Sequence, residues 1–185
     1  RIWPSTGQIK GMIENGGYTE GTGILLVPAE KKRERDAIGK LVGIKSGRVV
    51  LVADELPELP ESIIPAAYTH LANNPQFQMI GLGNPNSHFD AFGLFSEPKG
   101  GWGTVTEADS EWDTVRGKCI RFDAENNPNI VGPDPGSYPW MPDKETIEAA
   151  KRDYGAKSLF FMRMFKGFWA SEGLEDTVYS EADLL

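Results

Sequence analysis

The sequence predicts an α/β fold in which a partial, mostly parallel sheet is flanked by helices and followed by a small helical subdomain. The first observation is the apolar run Val49–Ala53, which has the composition of a strand buried on both faces of a parallel sheet. A second is the order strand, helix, strand across residues 49–82. The third is a pair of capped, amphipathic helical segments after residue 141.

Two adjacent carboxylates, Asp54 and Glu55, come directly after the apolar strand. Open α/β sheets bind ligands beyond the carboxyl ends of their strands. An apolar strand that ends in Asp-Glu is typical of the Walker B segment of nucleotide-hydrolysing proteins, where Asp54 would hold Mg²⁺ through its water shell. Glu55 would then orient and deprotonate the attacking water. A strand that merely ends in two acids before a turn has the same sequence, so this structural alternative stays open.

The residues after the acid pair complete a βαβ unit. Apolar residues at near-helical spacing predict a helix over residues 62–71, and residues 77–82 predict the next strand. Asn84 follows that strand, where an amide can hydrogen-bond the attacking water or the γ-phosphate and so sense phosphate. Asn84-Pro85 is also a common turn initiator, which is the structural alternative. We expect Asn84 and the acid pair to emerge at one edge of a shared sheet.

Composition and charge narrow the class of protein. The 185 residues are 39% apolar, enough for one substantial core. No apolar stretch approaches the ~20 residues that span a bilayer, so an intracellular protein outside the membrane is expected. The net charge of −8 argues against a domain that holds nucleic acid through a large basic face. A single Cys119 provides no disulfide framework, and His70 and His88 lack partners at metal-ligand spacing.

A nucleotide site also needs a phosphate cradle, normally Gly-x-x-x-x-Gly-Lys-[Ser/Thr]. The nearest string, Gly39-Lys40-Leu41, lacks both the upstream glycine and the hydroxyl that would bind magnesium. If the chain is part of an ATPase, its P-loop is therefore expected before Arg1. On this interpretation residues 1–140 are the part of the ATPase domain that carries the catalytic acids, and residues 141–185 are a helical linker subdomain.

The carboxyl-terminal half contains one predicted loop and two predicted helices. Residues 126–142 are dense in Pro, Gly and Asn, which predicts irregular structure. Asp143 is expected to cap a helix that ends at Tyr154 before Gly155. Ser158 is expected to cap a second helix, in which Leu159, Met162, Phe165 and Trp169 recur on one face.

Four segments together resemble the large terminase subunits of tailed bacteriophages, the ATP-driven motors that package viral DNA. They are the Asp54-Glu55 pair; residues 81–86, similar to that family's coupling motif; residues 119–123 with Asn127-Pro128-Asn129 after them; and residues 163–169. The first two are general to ATPases of the additional-strand catalytic-glutamate type, whereas the last two point to terminases. The resemblance runs over most of the chain and corresponds to the C-terminal part of the ATPase domain.

The resemblance implies ATP and Mg²⁺ as cofactors of the intact ATPase domain, with Asp54 at the metal and Glu55 and Asn84 in catalysis and coupling. It implies double-stranded viral DNA, the portal protein, the small terminase subunit and further copies in a ring motor as partners, in the host cytoplasm during virion assembly and without a membrane. The phosphate-binding half and the ribonuclease H-like nuclease domain of that family are missing from this sequence. The chain alone is therefore expected neither to hydrolyse ATP nor to cut DNA.

Two other functions remain open. The first is a helicase-like nucleic-acid motor with the same acids, which assembly with a procapsid portal would distinguish. The second is a non-catalytic interaction domain in which the acids only end a strand. A Gly-Lys-Thr or Gly-Lys-Ser motif in the coding sequence shortly before Arg1 would favour a motor, and a start codon at Arg1 would favour the interaction domain.

Overall fold

The chain forms two compact units, residues 1–82 and residues 83–185. The computed structural model describes residues 2–3, 8–12, 18–25, 27, 34–42, 47–71 and 74–169. Both units mix strands and helices, as the predicted class requires. None of the helices in these ranges has both the length and the apolarity that a bilayer crossing needs.

The first unit contains a small antiparallel sheet and a βαβ unit. Its described elements are β1 (Ile2–Trp3), β2 (Gln8–Met12), β3 (Tyr18–Leu25), α1 (Glu34–Val42), β4 (Val49–Ala53), α2 (Ile63–Leu71) and β5 (Phe77–Gly81). Strands β1, β2 and β3 pair antiparallel in that order. Strands β4 and β5 pair parallel through the crossover helix α2, so the predicted βαβ unit is confirmed.

The parallel pairing is limited to β4 and β5 within the described strands, so the prediction of a mostly parallel sheet holds only there. The prediction that β4 is buried on both faces is also wrong. Val49 and Ala53 are buried, but Val50 and Val52 are 45% and 54% exposed. Side chains alternate between the faces of a strand. One face therefore lies against the helices, and the other carries apolar side chains that the described residues leave uncovered.

The core of the first unit lies between its helices and the parallel pair. Ala37 and Leu41 of α1 pack with Ile63 of α2, and the half-buried Leu51 of β4 packs against this cluster. The string Gly39-Lys40-Leu41 lies within α1, as part of a helix rather than a phosphate-binding loop.

The second unit is built from short elements joined by ordered turns. They are α3 (Ala91–Ser96), β6 (Glu111–Asp113), β7 (Lys118–Ile120), α4 (Pro128–Val131), α5 (Lys144–Tyr154) and α6 (Leu159–Met164). Strands β6 and β7 form an antiparallel pair. Helix α4 lies inside the segment predicted to be irregular, because Asn127 caps it and Pro128 supplies the preset φ of a first helical residue.

Both predicted carboxyl-terminal helices begin at the expected caps, but α6 ends at Met164, so the prediction that it continues through Trp169 is wrong. The Asp143 carboxylate accepts a hydrogen bond from the Thr146 amide at 2.8 Å, and the Ser158 hydroxyl accepts one from the Phe161 amide at 3.1 Å. Gly155 ends α5 with a φ of +89°, a backbone conformation that residues other than glycine rarely adopt.

The core of the second unit joins α5 and α6 to the turn at residues 124–126. Ile147, Ala150 and Phe161 are buried together, and three partly buried hydrophobic side chains pack on them: Ala124, Ile130 and Phe165. Residues on both sides of position 140 therefore share one core. The predicted division into an ATPase part, 1–140, and a linker, 141–185, stays a prediction, and residues 170–185 lie outside the described part.

We predict that Phe161→Ala lowers the free energy of unfolding of the second unit by about 3–5 kcal/mol, because it leaves a cavity in a close-packed core. Phe160→Ala is the matched control. Phe160 is 43% exposed whereas Phe161 is 1% exposed, so the control should cost far less. Urea denaturation followed by tryptophan fluorescence measures both, since four of the five Trp residues belong to this unit. Equal losses would contradict the assigned core.

Candidate functional site

The acid pair forms a two-residue turn at the carboxyl end of β4. The Leu82 amide donates to the Ala53 carbonyl at 2.9 Å, and the Leu56 amide donates to the Leu82 carbonyl at 2.9 Å. The pairing of β4 with the chain after β5 therefore continues on both sides of Asp54 and Glu55 but omits them. Both side chains are exposed at this edge of the parallel pair.

Glu55 has a left-handed backbone. Its φ and ψ are 49° and 46°, and it is the one described residue other than glycine with a positive φ. Such a conformation costs a residue with a Cβ roughly 1–2 kcal/mol and persists only where its surroundings enforce it. Here Ala53 precedes the turn in the ladder, and Leu56 follows it with a fully buried side chain. These two anchors fix the direction in which Glu55 leaves the sheet.

The donor set of the turn suits a hard cation bound through water. The Glu55 amide donates to Oδ1 of Asp54 at 3.1 Å, which orients the Asp54 carboxylate. Mg²⁺ at nucleotide sites is held by one or two carboxylates, by water and by substrate phosphates. Such a site does not need a cage of protein ligands, and the described residues contain no group of three or more His, Cys, Asp or Glu side chains that could hold a metal.

Asn84, the predicted phosphate sensor, belongs to the second unit, because the boundary between the units falls after Leu82. It is exposed and lies in irregular chain three residues after the end of β5. The parallel register brings the ends of β4 and β5 to one edge. The acid pair and the start of the segment that leads to Asn84 are thus neighbours within the first unit, while the placement of the amide itself stays a prediction.

His88 and Cys119 lie against other side chains of the second unit. His88 stacks on Trp102 with ring centroids 4.3 Å apart. Cys119 is half-buried in β7, and this burial raises the pKa of its thiol. The side chain of His70 lies outside the described residues.

Arg121 is a structural centre that the sequence did not reveal. Its side chain is 2% exposed and pairs with Asp123 at 3.3 Å. The guanidinium also donates to the carbonyls of Glu107, Asp109 and Lys166. These contacts join the segments 119–123 and 163–169. A buried arginine is costly unless its donors are satisfied, and the alternating sequence around it gives no sign of that burial.

A chain of ion pairs extends from this centre to α5. Lys166 pairs with Asp123 at 2.8 Å and with Glu125 at 2.6 Å, and Glu125 pairs with Lys151 at 2.6 Å. Hydrogen bonds from Lys151 and Lys166 lower the pKa of Glu125, and those to Glu125 and Glu148 raise the pKa of Lys151 to about 12. Burial alone would lower the pKa of Lys166, but its hydrogen bonds to Asp123 and Glu125 outweigh that effect and raise it.

Comparisons of the chain with protein-family models, with curated proteins and with solved structures found no match.

We predict that Glu55→Gly raises the free energy of unfolding of the first unit by about 0.5–1 kcal/mol. Glycine adopts the left-handed backbone without a Cβ penalty, which exceeds the entropy cost of the added glycine. Glu58→Gly, in the adjoining 3₁₀ turn Leu56–Glu58, should instead lower stability. Urea denaturation followed by far-ultraviolet circular dichroism measures both. A loss of stability in Glu55→Gly would mean that Glu55 is not strained.

We predict that Glu125→Gln destabilises the second unit at neutral pH and that this loss shrinks in acid. The pKa of Glu125 is lowered from its ordinary value of 4.5, so its ionised form stabilises the fold above that pH. The stabilisation disappears as the pH falls through the lowered pKa. Glu148→Gln is the control, since that carboxylate is 55% exposed and contributes little. Urea denaturation at a series of pH values should show the stability of Glu125→Gln approaching that of wild type as the pH falls through the lowered pKa of Glu125.

Proposed function

We propose that this chain contributes the magnesium-binding and water-activating acids of an ATP-hydrolysing motor that packages double-stranded viral DNA. The observation that supports the proposal most is the Asp54-Glu55 turn at the carboxyl end of a parallel strand. Ligands of open α/β sheets bind at that edge. Backbone strain concentrates at catalytic positions, and among the described residues other than glycine the left-handed backbone falls on Glu55.

The two acids would have different roles because their backbones differ. Asp54 is the first residue after the strand, and its carboxylate, oriented by the Glu55 amide, would bind the water shell of Mg²⁺. Glu55 leaves the ladder in the left-handed region, and its carboxylate would accept a proton from the attacking water. When bound, Mg²⁺ would neutralise negative charge on the phosphates. Asn84 would couple hydrolysis to movement, which is the role that the resemblance implies for it.

The uncovered face of the parallel pair also supports a larger ATPase sheet. Val50, Val52 and Ile80 are 45%, 54% and 46% exposed on that face. Parallel sheets are normally covered on both faces by crossover helices. A phosphate-binding half with further parallel strands and helices would cover these side chains, and it would supply the cradle that the 185 residues lack.

The assignment to DNA packaging rests on the resemblance of residues 119–123 and 163–169 to terminases. Arg121 of the first segment donates a hydrogen bond to the Lys166 carbonyl of the second. Because the two segments are in contact, it is reasonable that both resemble the same family. In this proposal the partners are viral DNA, the portal protein, the small terminase subunit and further copies in a ring. The rival helicase-like motor would share the acids and lack the portal interaction.

We predict that Glu55→Gln lowers kcat for ATP hydrolysis by about 10²–10⁴-fold in the protein expressed from its complete coding sequence, while ATP still binds. The amide keeps the shape of the side chain and removes the base. Steady-state phosphate release gives kcat, and a fluorescent ATP analogue gives affinity.

Glu58→Gln is the matched control, an exposed glutamate in the adjoining 3₁₀ turn, and it should keep normal turnover. Near-normal hydrolysis by Glu55→Gln would exclude its role as the base. A wild-type protein that neither binds nor hydrolyses ATP would favour the non-catalytic interaction domain instead.

A further inference from the structure

The segment before α5 displays aromatic side chains from a rigid loop. We define the aromatic loop as residues 131–143. The Asn129 side chain is buried and bonds the loop three times: its amide nitrogen donates to the carbonyls of Tyr138 and Met141, and its oxygen accepts from the Tyr138 amide at 2.8 Å. Asn127 holds the end of the loop through the Pro142 carbonyl at 3.0 Å. The loop is therefore fixed by buried polar groups rather than by a core of its own.

The rigid loop holds a tryptophan in water. Trp140 is 75% exposed and its ring meets that of Tyr138 edge to face, with centroids 5.8 Å apart. Val131, at the start of the loop, is 63% exposed. Exposed Trp and Tyr side chains on a preorganised scaffold are the usual anchors of protein interfaces. The loop carries Asp134 and Asp143 and no Lys or Arg, so its chemistry favours a basic, apolar partner surface over a nucleic acid.

A surface of complementary character lies at the turn between α5 and α6. We define the basic hairpin as residues 152–164. It carries three cations, Arg152, Lys157 and Arg163, and one carboxylate, Asp153, which pairs with Arg152 at 3.4 Å. Lys157 is exposed, and Arg163 is partly buried. Its exposed apolar side chains are Tyr154, Phe160 and Met164, at 57%, 43% and 52%. The ring centroids of Tyr154 and Phe160 are 4.3 Å apart, so the hairpin presents two aromatic rings beside its cations.

The aromatic anchors of the two surfaces are attached to opposite ends of one helix. Trp140 lies three residues before the Asp143 cap of α5, and Tyr154 is the last residue of α5. Helix α5 has 11 residues, which separates its ends by about 16 Å. The ring of Trp140 contacts that of Tyr138, and the ring of Tyr154 contacts that of Phe160, so each aromatic pair forms within its own surface and the loop of one copy can meet the hairpin of another.

We propose that copies of this chain associate head to tail, with the aromatic loop of one copy docked on the basic hairpin of the next. Trp140 supplies the apolar anchor, and the opposite charges of the two surfaces set the orientation. Two different surfaces in contact make a heterologous interface, which generates rings or open filaments rather than closed two-fold dimers. The proposal rests on the proposed function, in which copies of the chain assemble into a ring, and it adds the two surfaces that make the contact.

The test is sedimentation of the 185-residue chain over a wide concentration range, with two complementary variants. Wild type should show a mass that rises with concentration and falls with added salt. Trp140→Ala removes the loop anchor and Tyr154→Ala weakens the hairpin, and each variant alone should associate at least about tenfold more weakly. An equimolar mixture should recover dimers, because the intact hairpin of the first variant can still bind the intact loop of the second. No dimers in the mixture would overturn the proposal.

Phe89→Ala is the matched control, since Phe89 is a 71% exposed aromatic residue of the same unit outside both surfaces. It should associate like wild type. Asp134→Lys and Lys157→Glu repeat the test with exposed charges, in case an aromatic variant unfolds. A monomeric wild type at every concentration, or variants that associate normally, would overturn the proposal. Sedimentation requires no nucleotide, so a failure here is distinguishable from a failure of the hydrolysis test.

Discussion

The candidate site depends on the backbone of Leu82. Its amide and carbonyl bind Ala53 and Leu56 on either side of the acid pair. Without these two bonds, residues 54 and 55 would continue the strand, and their side chains would point to opposite faces of the sheet. With them, both residues leave the ladder as a turn, and Glu55 is held in a conformation that it would not adopt alone. The geometry of the acids is thus a consequence of parallel pairing between β4 and the chain after β5.

The second unit depends on a different constraint, the satisfaction of one buried cation. Arg121 bonds three carbonyls and one carboxylate, and Lys166 and Lys151 continue the network to α5. The segments around residues 107–109, 121–126 and 166 are thereby fixed together by groups that would be costly to leave unpaired. This explains why a unit of short elements, with long connections rich in Pro and Gly, holds the aromatic loop and the basic hairpin in definite positions.

Local signals in the sequence were sufficient for much of the fold. The helices at 63–71 and 144–154 form as predicted, because their periodicity, caps and stops lie within a few residues of one another. The third helix begins after its predicted Ser158 cap but ends at Met164, before the predicted positions Phe165 and Trp169. The burial of β4 could not be predicted, since an apolar run does not say whether one or two faces are covered. The place of Asp54 and Glu55 after a strand is enough to propose them as a site, but the left-handed backbone of Glu55 depends on Leu82, which is 27 positions later in the sequence. Arg121 was missed for the same reason, because its backbone partners come from two distant segments, residues 107–109 and Lys166.

The central claim, that the turn at residues 54–55 faces a nucleotide, is tested most directly by a crystal structure of the protein expressed from its complete coding sequence, bound to Mg²⁺ and a non-hydrolysable ATP analogue. The account predicts Asp54 within hydrogen-bonding distance of the metal's water shell and Glu55 beside a water in line with the γ-phosphate. A nucleotide bound elsewhere, with both carboxylates open to solvent, would contradict it.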